Sequence, residues 1–464
     1  MRVGLIVEGT YPYATGGVSS WVQTLIENMN DVEFEIYHLK PDIKEREILF
    51  ELPENLKKIS ECTIFAENKW DLKVKTEPDF IRQVVGLIDF SNEMPTRAKK
   101  LFEILKDVAG KNVCEVLRTK TFWNAIVDVY ERYFTNEGFS EYFWTVRNFI
   151  LPFVNSFQFI PGKCDLYHSA TTGYAALTGI SGKIVNNSKL IITEHGIYHR
   201  EREREIITSK GIPEKFKKMW ISDFKLISAL AYYSCDSLTT LFKKNQIFQL
   251  ELGAEPSKMS IIPNGIDYDR FNVPRKAHSG FIVGFVGRVS RIKDLRTAIK
   301  AIRIVKNRIP ETKFLIIGPY EEDEKDYYEE CLQLVEILNL KDTVEFLGRQ
   351  NVLDYYPTID VLLLSSVSEG QPLVILEAMA AGIPVVSTDV GACREMLNDE
   401  LGKSGYVVPP KDFDSLAKAI ISLYEDRETY EKFSKNGKIV VSSKYRLDQM
   451  IRNYRNLYER VLNT

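Results

Sequence analysis

The chain has 464 residues, of which 44% are hydrophobic and 27% charged, and its formal net charge is -3. This composition is typical of a globular protein with two or three domains, and it lacks the basic surplus of a nucleic-acid-binding protein. The six cysteines are scattered without a Cys-x-x-Cys pair, which argues against a disulfide framework or a cysteine zinc site. A reducing cytoplasm is the expected location.

The amino terminus begins with an apolar run that ends at Glu8. This run is too short for the apolar core of a signal peptide, and it predicts a first strand instead. Nowhere do about twenty apolar residues follow one another, so we expect no membrane span. A role at the inner membrane would therefore depend on partner proteins.

The first half of the chain predicts a Rossmann-like domain over residues 1–270. The strand VGLIV leads through the loop TYPYATGGVSS into a helix with an apolar face, and the strand FEIYHL follows. Helical segments rich in aromatic residues fill about 66–160 and predict an insertion in this domain. Strand patterns return in KLIITEHG and DSLTTLF, which suit a parallel sheet covered on both faces.

The second half predicts another doubly wound sheet over residues 271–446. A polar stretch with Pro274 and Gly280 is the expected linker. Five strand candidates follow, separated mostly by helical patterns: GFIVGFVGRV, KFLIIGP, TVEFLG, DVLLLSS and IPVVST. Residues 447–464 predict a helix packed against either domain. The fold class is therefore α/β, with two Rossmann-like domains, and ligands in such folds bind at the carboxyl ends of the strands.

Two basic residues follow the first strand of the second half. Arg288 and Lys293 lie five positions apart beside Gly287, where a guanidinium and an ammonium group could hold a diphosphate and neutralise its charge as it departs. The alternative is a pair of solvated basic residues at the start of a helix.

The stretch SEGQPLVILEA places two carboxylates around a predicted helix start. Glu369 precedes the helix and could accept hydrogen bonds from a sugar, while Glu377 lies far enough along it to bind a ribose diol. The free N–H groups of the first turn form an anion site, which Gly370 leaves open to a phosphate. The candidate residues of this loop also include Gln371, Pro372 and Leu373. The alternative is a capping acid and an exposed helix acid.

The first half offers two further candidates after its strands. Gly16 and Gly17 open a helix and could hold a phosphate, although such a pair is often only a turn. Glu194 and His195 follow another strand, where a neutral imidazole could hold a sugar hydroxyl or move a proton. A structural histidine is the alternative.

Two Asp-x-Asp triplets could indicate a metal site. Asp267 and Asp269 lie in a turn, and Asp412 and Asp414 open a helix, so turn and capping roles are favoured. We predict no required metal and no cofactor.

Taken in order, these motifs resemble the retaining glycosyltransferases of family 4, which have the GT-B fold. The resemblance rests on Gly16-Gly17-Val18, on PNGID with Asn264, on the Gly287 to Lys293 run and on the glutamates of SEGQPLVILEA. The family's usual glycine after the lysine is Asp294 here. The resemblance implies a cleft between the two domains, a UDP-sugar donor, and retention of configuration without an enzyme nucleophile. With it we place His195, Arg288, Lys293 and Glu369 at the reaction centre and Arg349 near the uridine.

A narrower resemblance, in GTYPYATGGVSSWV, TEHGIYHRERE and the insertion, is to the cytosolic glycosyltransferases of bacterial Pel exopolysaccharide synthesis. It implies UDP-glucose or a UDP-N-acetylhexosamine as donor, a saccharide acceptor, and an inner-membrane synthase complex as partner. Two alternatives remain open at this point, a nucleotide-sugar epimerase and a non-catalytic nucleotide-sugar-binding subunit of a polysaccharide synthase.

Overall fold

Two parallel sheets organise the chain, one in each of two compact units. The computed structural model describes residues 1–66, 93–113, 117–209 and 211–464. The first unit consists of Met1–Ile262 together with Asn453–Thr464, and the second consists of Pro263–Arg452. The chain thus passes from one unit to the other just before the PNGID motif.

The sheet of the first unit has seven parallel strands in the order β3-β2-β1-β4-β5-β6-β7. The chain first moves outward from β1 and then returns to its other side, which is the doubly wound arrangement. The strands are β1 Arg2–Glu8, β2 Glu33–Lys40, β3 Leu56–Thr63, β4 Leu166–Ser169, β5 Lys189–Glu194, β6 Ser237–Thr240 and β7 Met259–Ile261.

Strand β1 is buried on both faces, as its continuous apolar run predicts. Gly4 lies in the middle of this run, and a Cβ atom there would come within 2.8 Å of the Tyr167 ring. The glycine therefore lets an aromatic ring of the neighbouring strand lie directly on the backbone.

Helices cover both faces of this sheet. They are α1 Gly17–Glu27, α2 Met94–Val108, α3 Lys120–Tyr133, α4 Phe139–Gln158, α5 Tyr174–Asn186, α6 Tyr198–Thr208, α7 Glu214–Ser234 and α8 Lys243–Glu251. Helices α2 to α4 belong to the predicted insertion, of which residues 67–92 lie outside the described part. Leu101, Ile126 and Phe149 share one apolar core with Leu190 of the sheet. Among the described residues of the insertion, many aromatic side chains thus form core, whereas Trp123, Tyr133 and Trp144 are about half exposed.

The sheet of the second unit has six parallel strands in the order β10-β9-β8-β11-β12-β15. They are β8 Phe281–Val286, β9 Thr312–Ile317, β10 Val344–Gly348, β11 Val361–Leu364, β12 Val385–Thr388 and β15 Gly405–Val408, and a small antiparallel pair joins β13 Asn398–Asp399 to β14 Gly402–Lys403. The helices are α9 Tyr268–Phe271, α10 Leu295–Arg308, α11 Lys325–Ile337, α12 Leu373–Ala380, α13 Cys393–Leu397, α14 Phe413–Glu425 and α15 Arg427–Lys444.

The predicted fold class is confirmed, and all five strand candidates of the second half are strands. Strands β3, β4, β13, β14 and β15 were not predicted from the sequence. Strand β4 has only four residues, and β3 lies at the edge of its sheet with several charged and exposed side chains, so neither shows a long apolar run. The expected linker packs on the second unit, where Arg275 donates hydrogen bonds to the carbonyl groups of Tyr356 and Ile359.

The last helix, α16, spans Leu447–Leu462 and belongs to the first unit from Asn453 onward. Tyr454 and Tyr458 are fully buried there. The Tyr458 hydroxyl lies 2.7 Å from Nδ1 of His168, whose Nε2 lies 2.7 Å from the Thr193 hydroxyl. This part of the helix is therefore anchored in the first unit by buried hydrogen bonds.

Among the described residues, no helix has both the length and the apolar composition that crossing a bilayer requires.

Replacing the anchoring tyrosine should destabilise the first unit. Tyr458→Phe leaves a nitrogen of buried His168 without its partner, at a cost of about 1 to 3 kcal/mol in the free energy of unfolding. Tyr11→Phe is the matched control, since this ring of the same unit is equally buried but its hydroxyl has no hydrogen-bond partner among the described residues. Urea unfolding followed by circular dichroism should show the larger loss for Tyr458→Phe. Equal losses would contradict the assigned anchor.

Candidate active site

Lys293 and Glu369 form an ion pair at the carboxyl edge of the second sheet. Lys293 follows β8 and Glu369 follows β11, and these strands are neighbours, so their loops meet. The distance from Lys293 Nζ to Glu369 Oε1 is 2.7 Å, and the two side chains are 20% and 13% exposed. The Ser366 hydroxyl donates to the same oxygen. Two of the sequence-predicted residues are thus brought together in a largely desolvated position.

The turn after Lys293 keeps its shape without glycine. Asp294 adopts the left-handed conformation, with φ 46°, just before α10 begins. Aspartate tolerates this region better than most residues do. Its carboxylate accepts a hydrogen bond of 2.7 Å from the Thr297 hydroxyl in the first turn of the helix. The departure from the family pattern therefore leaves Lys293 in place.

The segment STDVGACRE, residues 387–395, packs against the loop before α12. The Ala392 N–H donates to the Gly370 carbonyl group at 2.9 Å. Gly391 has φ 51°, and a Cβ atom there would come within 2.1 Å of the same carbonyl oxygen. Glycine at 391 is therefore required for the close approach. Pro372 occupies the position just before α12 without a capping hydrogen bond from its side chain, and Leu373 is the first helical residue.

Gln371 and Asn264 are bound to each other. The Gln371 side chain accepts from the Asn264 N–H at 2.7 Å and donates to the Asn264 carbonyl group at 3.3 Å. Both predicted residues therefore have a structural role, and PNGID is fixed to the start of α12.

Glu377 has a hydrogen-bond partner that was not predicted from the sequence. The Tyr356 hydroxyl donates to Glu377 Oε2 at 2.6 Å, and the tyrosine is fully buried. Burial raises the pKa of Glu377, while Tyr356 and then Arg270 lower it. Because Tyr356 precedes the helix by many residues and follows no strand, its position gave no sequence signal.

The remaining basic candidates of this unit are exposed. Arg288 pairs with Glu321 at 2.5 Å, and the two side chains are more than half exposed. Arg349 is exposed directly after β10. Gly318 follows β9 and has φ 151°. A Cβ atom at this position would come within 2.0 Å of the Gly287 carbonyl oxygen, so the ends of β8 and β9 are tightly packed.

In the first unit, Glu194 is fully buried at the end of β5. Its carboxylate accepts from the side chains of Thr172, Tyr232 and Gln249, each at 2.8 Å, and from the Tyr198 N–H at 3.3 Å. Burial raises its pKa, whereas these donors lower it. The predicted contact with a sugar would have to displace one of these bonds.

His195 lies next to Glu194 and is only partly exposed. Its ring contacts Trp21 edge-on, with the ring centres 4.7 Å apart. Burial lowers the pKa of His195 to about 4, so the imidazole is neutral at physiological pH. Its Nε2 has no hydrogen-bond partner among the described residues. The ring can therefore serve as a neutral donor or acceptor.

Gly16 and Gly17 lie at the start of α1, as predicted. A Cβ atom at either position would meet no heavy atom within 4 Å, so the space beside this helix start is open. The described residues contain no group of three or more acidic, histidine or cysteine side chains that could hold a metal ion. Asp267 and Asp412 cap helices instead.

Two family models match the chain. Residues 1–257 match the family described as Domain of unknown function (DUF3492), and residues 269–440 match Glycosyl transferases group 1. The second match supports the coarser part of the motif-based prediction, a group 1 glycosyl transferase domain over residues 269–440.

One similar protein is the UDP-Gal:alpha-D-GlcNAc-diphosphoundecaprenol alpha-1,3-galactosyltransferase of Escherichia coli. It is 25% identical over 313 residues, which are 64% of this chain and 75% of that protein. The chain spans about half the length of several other curated relatives that it matches.

Two solved structures are similar over their whole length. Sucrose-phosphate synthase from Thermosynechococcus elongatus has a TM-score of 0.64 at 19% identity, covering 100% of this chain and 99% of that one. Anabaena Alr3699/HepE, solved in complex with UDP, has a TM-score of 0.64 at 15% identity, covering 99% and 100%. At these identities the likeness concerns the fold, and it confirms the predicted GT-B class.

The protonation of His195 can be measured directly. In a protein labelled with ¹³C-histidine, the His195 signal should titrate with a midpoint of about 4, because burial opposes the charged form. The unfolded chain in urea should give about 6.5. Since the unfolded state binds the proton first, this group removes stability as the pH falls from about 6.5 to about 4. His195→Gln identifies the signal, and a folded midpoint near 6.5 would contradict the burial of the ring.

Proposed function

Because the chain belongs to the family described as Domain of unknown function (DUF3492) and carries a group 1 glycosyl transferase domain, we propose that it transfers a sugar from a UDP-sugar to a growing saccharide with retention of configuration. The observation that carries this proposal is the Lys293–Glu369 pair beside the start of α12. This arrangement joins a cation, a carboxylate and free backbone N–H groups at one strand edge.

The ion pair suggests how donor binding starts. Without a donor, Glu369 neutralises Lys293 at 2.7 Å. A diphosphate carries more negative charge than a carboxylate, so it should replace Glu369 on the ammonium group and also accept from the N–H groups at the start of α12. Glu369 then keeps its bond to Ser366 and becomes free to accept hydrogen bonds from the sugar.

The remaining donor contacts follow from the same unit. Glu377, held by Tyr356, accepts from the two hydroxyls of the ribose. Arg288 is exposed and can exchange Glu321 for a phosphate oxygen. The uridine lies near Arg349 at the end of β10. A UDP donor is supported by the similar HepE fold, which was solved with UDP.

The chemical step needs no enzyme nucleophile. An acceptor hydroxyl oxygen forms a bond to the anomeric carbon on the face from which UDP departs, while the bond from that carbon to the phosphate oxygen breaks. The departing phosphate takes the proton of the hydroxyl. Positive groups that stabilise the leaving group therefore supply the main catalytic effect. Neutral His195 holds a sugar hydroxyl.

The acceptor is a growing exopolysaccharide such as Pel, and the donor is UDP-glucose or a UDP-N-acetylhexosamine. The support is the resemblance of GTYPYATGGVSSWV and TEHGIYHRERE to the PelF group. The same resemblance supports a cytoplasmic protein that works beside an inner-membrane synthase complex, without a required metal ion.

Product analysis tests the proposal as a whole. The full chain is incubated with a panel of UDP-sugars and saccharide acceptors, and UDP release and products are measured together by mass spectrometry. Transfer gives UDP and a new glycoside. An isomerised UDP-sugar would instead indicate an epimerase, and tight binding without turnover a non-catalytic subunit.

Loss of the lysine should abolish most of the transfer rate. Lys293→Ala removes the cation that stabilises the departing diphosphate, at a cost of about 2.7 to 4 kcal/mol of barrier, or roughly 10²- to 10³-fold in kcat at saturating donor. Lys183→Ala is the matched control, because Lys183 forms an equally short and similarly exposed pair with Asp236 in the other unit. If Lys293→Ala kept near wild-type kcat, its assignment to the leaving group would be wrong.

The tyrosine behind Glu377 should affect nucleotide affinity. Tyr356→Phe removes the hydroxyl that orients the carboxylate, so we expect the Kd for UDP to rise about fivefold, consistent with about 1 kcal/mol for one hydrogen bond. Tyr424→Phe is the control, since it removes a 2.7 Å bond to exposed Glu311 in the same unit. Calorimetric titration with UDP measures both. An unchanged Kd in Tyr356→Phe would argue against Glu377 as the ribose ligand.

A further inference from the structure

The second unit carries a groove on the helical side of its sheet. The groove has a volume of about 700 Å³, and its walls are formed by side chains of α10 and α11. One end is closed by the loops that follow β8, β11 and β15. None of the residues assigned above to the sugar donor lines it. A ligand in this groove would therefore occupy a different place from the donor.

Positive charge predominates among the described residues that line the groove. Four cations stand against two carboxylates: Arg291, Arg296, Lys300 and Lys411 against Asp294 and Glu330. The whole chain, by contrast, has a formal net charge of -3. The Asp294 carboxylate already accepts from the Thr297 hydroxyl at 2.7 Å. Glu330 is therefore the carboxylate that balances the cations of the groove.

Glu330 shows how the two arginines hold an anion. Its carboxylate accepts from Arg291 at 2.9 Å and from Arg296 at 3.0 Å. Both guanidinium groups also lie over the Tyr327 ring, 5.2 and 5.5 Å from its centre, which fixes their positions. The three charged side chains are 39 to 55% exposed, so an anion from solvent can reach them. A phosphate group carries more charge than a carboxylate and matches the guanidinium fork, so it can replace Glu330.

The two lysines add charge that the described part of the chain does not neutralise. No carboxylate there lies within ion-pair distance of Lys300 or Lys411. Lys300 lies over the Phe413 ring, 5.8 Å from its centre. Lys411 has φ 65°, a left-handed conformation that is strained for residues other than glycine and that is often found where a ligand is clamped.

The size of the groove favours a small molecule over a protein. Its volume of about 700 Å³ lies within the range of ~300 to 1,000 Å³ that is usual for small-molecule sites. A stable protein partner would instead cover roughly 800 Å² of surface. The apolar side chains of Leu334 and Phe413 can cover a sugar or base ring attached to the phosphate.

The closed end of the groove adjoins the loops of the donor site. The Val367 N–H donates to the Ile292 carbonyl group at 2.8 Å, which joins the loop after β11 to the loop after β8. Ile292 directly precedes Lys293, and Val367 lies two residues before Glu369. A ligand that contacts Val367 therefore also contacts the loops that carry this ion pair, as an effector would.

We propose that this groove binds a phosphorylated small molecule, separately from the sugar donor. Its phosphate takes the place of Glu330 on Arg291 and Arg296, and Lys300 and Lys411 supply further positive charge. The assignment does not rest on the proposed transfer, since it concerns residues outside the donor site. The competing occupant is an acidic segment of a partner protein.

The experiment measures anion binding to the full chain by isothermal titration calorimetry. The probes are inorganic pyrophosphate, glucose 6-phosphate and AMP in metal-free buffer, and at least one should bind with a Kd of about 1 mM or lower. In the double variant Lys300→Gln/Lys411→Gln this Kd should rise about tenfold, because two cations are lost. In Glu330→Gln it should fall about threefold, because no carboxylate then competes for the arginines.

The matched control is Lys432→Gln/Lys435→Gln. It removes the same charge from two exposed lysines of α15 in the same unit, outside the groove. Lys293→Ala is a second control, since it removes the cation of the donor site. Neither should change the Kd by more than about twofold, because salt screens distant charges. Circular dichroism melting curves show whether each variant is folded.

Several results would overturn the groove as a phosphate site. Binding of no probe by the wild type would do so, as would equal Kd values in the two double-lysine variants. Loss of binding in Lys293→Ala would place the probes at the donor site, and weaker binding in Glu330→Gln would exclude the exchange. Tighter binding of a hexaglutamate peptide than of every phosphorylated probe would assign the groove to a partner protein. The proposed function is tested by UDP release from a UDP-sugar, so either proposal can fail alone.

Discussion

In a parallel sheet every strand ends at the same edge, and this constraint decides where the polar groups of the protein meet. Lys293 follows β8 and Glu369 follows β11, far apart in the chain, yet the strands are neighbours and the side chains approach to 2.7 Å. In the first unit the same rule places Glu8 at the end of β1 and Glu194 and His195 at the end of β5. The helices that begin at this edge add free N–H groups, which favour negative ligands.

Burial at these edges controls protonation. His168 and His195 have lowered pKa values, about 3 and about 4, because a charged imidazole would lose its hydration. The same desolvation raises the pKa of Glu8, Glu194 and Glu377. Lys293 and Glu369 are also largely buried, and they neutralise each other at 2.7 Å. A phosphorylated ligand can therefore exchange with Glu369 on Lys293, while Glu369 keeps its hydrogen bond from Ser366.

The fold was largely predictable, because continuous apolar runs identify buried parallel strands. The strands not predicted include β4 and β15, with only four residues each, and β3, which carries several exposed charged side chains. At the candidate site, Gly370, Glu369 and Lys293 were predictable from their places after strands. Tyr356 was not, because its bond to Glu377 joins two segments that are remote in sequence. The mutual bonding of Asn264 and Gln371 was invisible for the same reason.

The sequence by itself determined the two doubly wound sheets, the order of the motifs and the helix start after Glu369, since strand periodicity, proline and glycine act locally. Only the tertiary structure decided which polar groups already have partners. It showed Glu194 bound by four protein donors and Lys293 neutralised by Glu369. Hydrogen bonds between distant segments depend on packing in three dimensions, and neighbouring residues in the chain carry no information about them.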